Sequence, residues 1–552
     1  MTSEEFGSIA AGAIEAYCTE YPEQATMLGN HDHDDRLGYP TLAAAHRRRS
    51  ELTGLLEQLQ AIDGSGLGPA GQVDAEILRT EAQGELLMLT DLDDASWDAM
   101  RHNPGQAIYS LLSRDFAPLP ERLVSVAGRL RSVPDYLAAV RERLVHCPAV
   151  HVETAIAQLG GTVELIETQI PQAIAESGSG LDLEDSIAAA AGAVREHQAW
   201  LREQLPSSDR SPRLGADLFG RKLALTLATV WQPEALLAQA YADLGLIETE
   251  LAELVASGQP GSAVTRVEIA AEFDRLAEDV PTSENILDYC RQAMAETTAF
   301  VTEHELLTLH HDPVEIIEMP EIDRGIAVAY CEGVGALETA PLITRFAVSP
   351  TPADWSAERV RSFYREYNKH MLHNLTVHEG MPGHVEQLSH ARRYRGATQV
   401  RAVFGSGSFI EGWAVYAESV MARLGYRSEV SAEAARAVRI QQLKMQLRMV
   451  LNTIMDVSFH AGDLDEAGAM ELMTVRGYQE DGEAAGKWRR VQLSSTQLST
   501  YYVGYLEVRE LAEDLIKAKP EWSLRQVHDT MLSFGSPPVR HLRTLLGLPP
   551  AA

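Results

Sequence analysis

Between residues 437 and 460, Ile440, Leu443, Leu447, Val450, Leu451 and Ile454 recur at three- and four-residue intervals. Only an α-helix turns that spacing into one apolar stripe, because its side chains return to the same face every three or four residues. The same periodicity, carried by Ala, Leu, Glu, Gln and Arg, runs through most of the chain, so a mostly α fold is predicted. Patches rich in Gly, Pro and Ser punctuate it at Asp63 to Gly71, Glu176 to Gly180, Leu205 to Gly215 and Ser257 to Ser262. They are too short for free linkers and read as turns between packed helices. No internal repeat is visible. One region departs from the pattern: between Pro313 and Pro350, the runs Val314 to Met319, Ile326 to Cys331 and Ile343 to Val348 predict a small β-sheet among the helices.

At 552 residues the chain has room for two lobes of a large enzyme. Apolar residues make up 45% and charged residues 23%, which excludes disorder for the bulk of it. Lys and Arg number 47 against 79 Asp and Glu, a net charge of −32. Such a chain repels phosphate backbones and anionic lipid, so neither nucleic acid nor a membrane surface is an expected partner. No run approaches the length of a membrane helix; the longest small-apolar stretch is Ile187 to Val194. Glu4 and Glu5 stand where a secretory signal carries basic residues. Cys18, Cys147, Cys290 and Cys331 form no CxxC pair, and buried reduced thiols are expected. A cytoplasmic protein is the resulting expectation.

Chemistry concentrates in His378-Glu379-Gly380-Met381-Pro382-Gly383-His384. Two imidazoles that bind metal beside a glutamate that activates water are the working parts of a zinc hydrolase. The histidines are six apart, however, about 240° around a continuous helix, so an unbroken helix would aim them in different directions. Pro382 and Gly383 offer the remedy. The proline ring clashes with the carbonyl four residues earlier, that of His378, and glycine accepts whatever backbone angle the break requires. His304-Glu305 followed by His310 repeats the spacing without the Pro-Gly break, and reads as a helix end. A third ligand from another element is expected at Glu411, in Phe409-Ile410-Glu411-Gly412-Trp413-Ala414-Val415-Tyr416-Ala417-Glu418 after a Gly/Ser turn. Glu418, seven residues on, shares its face and is placed to orient a ligand histidine.

The pattern His378-Glu379-x-x-Pro382-Gly383-His384-x-x-Gln387, then Glu411-Gly412-Trp413-Ala414-x-Tyr416-x-Glu418, resembles the family catalogued as domain of unknown function 885. Tyr21-Pro22-Glu23-x-Ala25-Thr26-x-x-Gly29 is similar to its N-terminal signature. Asp456-x-x-x-His460 and Gln497-x-x-x-Tyr501-x-x-Gly504 are similar to its C-terminal ones. That family in turn resembles helical zinc peptidases such as carboxypeptidase Taq and angiotensin-converting enzyme. The resemblance implies a large two-lobed helical fold with a deep cleft, a helical N-terminal lobe over 1–300, and a metal-binding catalytic lobe with the small sheet over 301–552. Two departures stand out: Ser495-Thr496 replaces the family's Pro-Gly, and Val491 replaces the Tyr that usually follows Arg490.

The expected site follows. His378, His384 and Glu411 bind one zinc per chain, with Gln387 and Glu418 supporting them. Glu379 takes the proton of the attacking water and returns it to the leaving amine. Tyr501 donates to the developing oxyanion; Tyr502, about 100° away on the same helix, faces elsewhere. The family match makes His460 a further catalytic candidate, although a histidine at a helix C-terminus is favoured by the dipole alone. Arg490 is placed to hold a substrate carboxylate. His31-Asp32-His33-Asp34-Asp35 reads as a polar loop, and His373 and His390 as bystanders. The expected activity is hydrolysis of short peptides. A zinc amidohydrolase acting on a small non-peptide amide is the alternative, with a non-catalytic peptide-binding relative as the third.

Overall fold

The structure, a computed structural model, describes residues 3–62, 66–256, 264–320, 328–352 and 355–550. The turn expected at Ser257 to Ser262, and parts of those at Asp63 to Gly71 and Ile326 to Cys331, lie outside the described residues. The chain is mostly helical with one small sheet, as the periodicity predicts. It folds as two compact units: residues 1–212 with 334–342 and 396–404, and residues 213–333 with 343–395 and 405–552. The change between units falls at 212/213, and two short segments of the second half of the sequence belong to the first unit.

In the first unit, helices including Leu119–Arg143, Ala149–Glu164 and Glu184–Gln204 bury Leu130, Leu137, Val152, Leu159, Val194 and Leu201 against one another. The N-terminal signature is structural here. Pro22 opens the short helix Pro22–Leu28, and the Tyr21 hydroxyl donates to Glu85 Oε1 at 2.6 Å, a carboxylate shared with Arg48. His31 to Asp35 is a turn as expected, pinned by His31 contacts to Asp34 at 2.9 Å and Glu338 at 3.0 Å.

The second unit carries the sheet and every element of the expected site. Strands β1 (Val314–Glu318), β2 (Ala329–Glu332) and β3 (Thr344–Val348) match the three β-like runs. Their order is β1-β3-β2, with β1 parallel to β3 and β2 antiparallel to it. Phe346 and Val348 of β3 pack with Ile286, Cys290 and Leu375. The helices that follow are labelled α1 (Ala357–Glu366), α2 (Lys369–Glu379), α3 (His384–Ala391), α4 (Gly407–Arg423), α5 (Ala432–His460), α6 (Asp481–Leu493) and α7 (Thr500–Ala518).

Helix α5 contains the apolar stripe, and it is buried on every side from Ala437 onward rather than along one face. Two of its buried charged residues are paired internally: Lys444 with Glu366 at 2.8 Å, and Asp456 with the Ser499 hydroxyl at 2.7 Å. Helices α4 and α7 touch through their backbones. A Cβ on Gly412 would stand 2.3 Å from the Gly504 carbonyl carbon, and one on Gly504 would stand 1.9 Å from the Ser408 oxygen. That contact of glycines brings the helix bearing Glu411 against the helix bearing Tyr501.

Candidate metal centre

Helix α2 runs through His378 and ends with Gly380 N–H on the Thr376 carbonyl at 2.9 Å. The chain then folds back so that Gly383 N–H reaches the Val377 carbonyl at 2.9 Å, and α3 restarts at His384. The helix is broken outright between the two histidines, and the break re-aims the second ring. The imidazoles meet edge to face with centroids 4.7 Å apart, on residues that a continuous helix would separate. The indole N–H of Trp413 on α4 donates to the Pro382 carbonyl at 2.9 Å and fixes the turn to the helix that supplies Glu411.

The expected ligand atoms converge. His378 Nε2 lies 3.4 Å and His384 Nε2 3.5 Å from Glu411 Oε2. Two atoms each about 2.0–2.1 Å from zinc at a tetrahedral angle stand ~3.3–3.4 Å apart, so the observed edges fit one shared cation. Glu411 Oε2 is buried and has no hydrogen-bond partner, an arrangement that costs free energy unless a cation completes it. Glu379 joins His378 and His384 in a group whose ligand atoms lie within 4.8 Å of one another. The electrostatics agree. Burial opposes a charge on His378, yet Glu411 and Glu418 outweigh it and raise its pKa well above the ordinary imidazole value. Burial also works against the Glu411 charge, but His384 and His378 hold its carboxyl well below the usual range. The carboxylates favour positive charge among these groups, whether carried by an imidazolium or by a cation.

Glu418 supports the site as expected. Its Oε1 takes the His378 Nδ1–H at 2.6 Å and its Oε2 takes an Asn374 N–H at 2.6 Å. This leaves His378 Nε2 as the free donor atom toward the metal. We predict that Glu418→Gln weakens metal binding about 10–100-fold, measured by competition with a chelator, because outer carboxylates set ring orientation and basicity. Asn374, which holds that carboxylate in turn, was not foreseen; its position four residues before His378, on the same helix face, was the available signal.

Other expected residues divide. Tyr501 lies near Glu411 and His378 and against Arg490, and burial foremost, then Glu411, raises its pKa. Tyr502 turns into the core and donates to Asp243 at 2.7 Å. Gln387 donates to the Ser536 hydroxyl at 2.8 Å, so it ties α3 to the C-terminal segment rather than touching a ligand imidazole. His460 is not brought to the histidine pair: its Nε2 reaches the carbonyls of Ser494 at 2.8 Å and Val491 at 3.1 Å, and burial lowers its pKa to about 4. It closes the C-terminal end of α6, a structural use of the motif that the family match put among the catalytic residues. Asp456, its motif partner, accepts the backbone N–H groups of Thr496 and Ser499 and shapes the turn where Ser495-Thr496 departs from Pro-Gly.

The His304 ring lies tilted against Phe300, centroids 4.0 Å apart, at the end of helix Ile286–Glu303, as the helix-end reading has it. His310 does meet Glu386 and His390 in a second His/Glu group. There the His390 Nε2 already bonds the Thr308 carbonyl at 2.8 Å, and Glu386 accepts the His310 backbone N–H at 3.0 Å. His373 contacts the Tyr426 hydroxyl and Arg427.

A mostly helical protein with a His-Glu-His-Glu centre on a broken helix is the class that fold and geometry define. The chain belongs to the family described as bacterial protein of unknown function, DUF885, whose model matches residues 22–546. A protein from Shewanella oneidensis described as a lipoprotein of unknown function is 27% identical, with a TM-score of 0.83 over 98% of this chain and 99% of its own. A second protein, described as a lipoprotein from Colwellia psychrerythraea, is 15% identical with a TM-score of 0.82 over 99% of both chains, and shares the fold. An M32 carboxypeptidase from Deinococcus radiodurans R1 matches over 92% of this chain and 95% of its own at 11% identity and a TM-score of 0.36, too low to argue from. No curated protein matches the chain. No helix among the described residues is long and apolar enough to cross a membrane.

Proposed function

We propose that the protein is a zinc-dependent hydrolase of short peptides. One observation carries the reading: a buried, unpartnered carboxylate oxygen of Glu411 facing two imidazole nitrogens at 3.4 and 3.5 Å, with the carboxylate of Glu379 alongside. His378, His384 and Glu411 are the ligand set, and three protein ligands leave a position for water, the pattern of catalytic rather than structural zinc. Zinc supplies Lewis acidity there and lowers the pKa of a water to about 7. Glu379 takes the proton of the attacking water on its carboxylate and hands it to the departing amine nitrogen. The Tyr501 hydroxyl donates a hydrogen bond to the carbonyl oxygen as negative charge develops on it. Arg490, touching Tyr501, offers its planar fork to a substrate carboxylate. A cytoplasmic site of action belongs to the same proposal. Four unpaired cysteines support it, and the descriptions of the two solved relatives as lipoproteins point the other way.

The test is metal content by mass spectrometry on purified wild type and His384→Ala, followed by a screen of dipeptides and tripeptides. About one zinc per chain in wild type, lost in His384→Ala, together with turnover of a peptide, is the expected result. A chain that takes up no metal when zinc is supplied overturns the reading. Metal without turnover of any peptide moves the substrate to a small non-peptide amide.

A further inference from the structure

Helix α3 carries a second set of metal-ligating side chains on its other face. Glu386 and His390 are four residues apart and share one side of the helix. His384 stands two residues from Glu386, about 200° around the same axis. His384 turns to Glu411, whereas Glu386 and His390 meet the segment that precedes β1. His310 of that segment completes the group. The three residues each bring a ligand atom within 4.8 Å of the other two, and the His310 and His390 rings lie 4.3 Å apart between centroids. Glu386 Oε1 is 3.6 Å from His390 Nε2.

Other groups hold the segment in place. Asp529 accepts the Thr308 backbone N–H at 2.8 Å and its hydroxyl at 2.6 Å. Asp312 accepts the Ser389 hydroxyl at 2.6 Å and Arg393 at 2.7 Å. Those carboxylates are occupied; Glu386 is not. It is 1% exposed, and among the described residues no lysine or arginine pairs with it. Its one hydrogen bond, from the His310 N–H to Oε1 at 3.0 Å, leaves Oε2 without a donor. His390 Nε2 contacts the Thr308 carbonyl at 2.8 Å, and a carbonyl only accepts, so Nε2 carries the hydrogen and Nδ1 keeps a lone pair. Ligand histidines are fixed in that way, one ring nitrogen donating to a carbonyl and the other left for the ion. Neither ring nitrogen of His310 makes a hydrogen bond among the described residues.

We propose that His310, Glu386 and His390 form a second divalent-cation site, for which zinc is the ion that two imidazoles and a carboxylate suit. It is a structural site. Its ligands face away from His384, so its ion is no partner in a two-metal reaction, whose ions stand about 3.5–4 Å apart. What it does is clamp the segment ahead of β1 to the helix that presents His384. It binds more weakly than the Glu411 centre, because its ligand atoms must draw together from a spread of up to 4.8 Å. The purified chain therefore carries the first ion and takes up the second when zinc is supplied.

The experiment strips the full chain with a chelator, supplies excess zinc, and measures bound metal by mass spectrometry after dialysis. Wild type, His384→Ala, Glu386→Gln and the double variant are compared. The Gln side chain keeps an oxygen for the His310 N–H and removes the charge. Wild type is expected to hold about two zinc per chain, each single variant about one, and the double variant none. In His384→Ala, added zinc is expected to raise the melting temperature, and Glu386→Gln on that background to abolish the rise. Wild type that saturates at one zinc, lost in His384→Ala, overturns the inference. A second zinc that survives Glu386→Gln is surface binding and overturns it too. A single zinc that survives His384→Ala and is lost in Glu386→Gln upholds this site and removes the catalytic centre instead. If Glu386→Gln does not fold, His310→Ala takes its place, since that half-buried side chain makes no hydrogen bond among the described residues.

Discussion

Glu379→Gln is expected to keep about one zinc per chain and to lose about 10²–10⁴-fold in kcat, the contribution of a positioned general base. The amide has the shape of the carboxylate and sits at the same 8% exposure, so the fold has little reason to change. It cannot accept a proton at the operating pH, however, and so can neither deprotonate the attacking water nor return a proton to the leaving amine. The ligand set His378, His384 and Glu411 is untouched, which is why metal content separates a lost base from a lost site. Metal analysis and peptide hydrolysis on the same preparation make the measurement. Full turnover in the variant would remove Glu379 from the chemistry and with it the proposed mechanism.

Gly383→Ala is expected to bring metal content from about one per chain toward zero and to destabilise the second unit by about 1–3 kcal/mol, the usual cost of overpacking. A Cβ at this position would stand 1.9 Å from the His378 carbonyl oxygen and 2.3 Å from that of Val377. Both obstacles are backbone, so relief requires moving the residue that carries the first ligand. The φ of Gly383 is −73°, so no left-handed backbone calls for glycine here; the close approach of a Cβ to two carbonyls does. Gly407→Ala is the control. It lies on the helix that bears Glu411, but its nearest neighbour would be the Thr500 methyl at 3.9 Å, ordinary contact. Metal content is expected to survive there, as measured by mass spectrometry beside a thermal melt. Wild-type zinc in Gly383→Ala would mean that the break between α2 and α3 is not what aims His384.

The two variants test opposite kinds of information. The proposed role of Glu379 can be read from the chain, because a His-Glu pair followed by a second histidine suggests its chemistry by residue type. The function of Gly383 was half legible. Proline and glycine announced a break, and spacing showed that a break was needed, but not that the glycine is wedged under the carbonyl of His378. The contact of Glu418 with His378 was legible because a seven-residue interval from Glu411 returns to the same helix face whatever surrounds it. The surroundings of His460 were not legible, for the complementary reason. Its sequence neighbourhood recorded a motif, while its partners, the carbonyls of Val491 and Ser494, belong to another helix.

By itself the sequence determined the helical class, the three β-like runs that pair as one sheet, the broken His-Glu helix, the glutamates that complete it and the family. All are encoded in intervals of a few residues, where backbone geometry converts spacing directly into direction. Tertiary structure alone decided that α5 is enclosed on every side and that Tyr501, not Tyr502, lies near Glu411 and His378. Those outcomes depend on which helices become neighbours. A buried polar group finds its partner hundreds of residues away, as the Tyr502 hydroxyl finds the Asp243 carboxylate. Local periodicity says which face of a helix seeks burial; only packing says what meets it there.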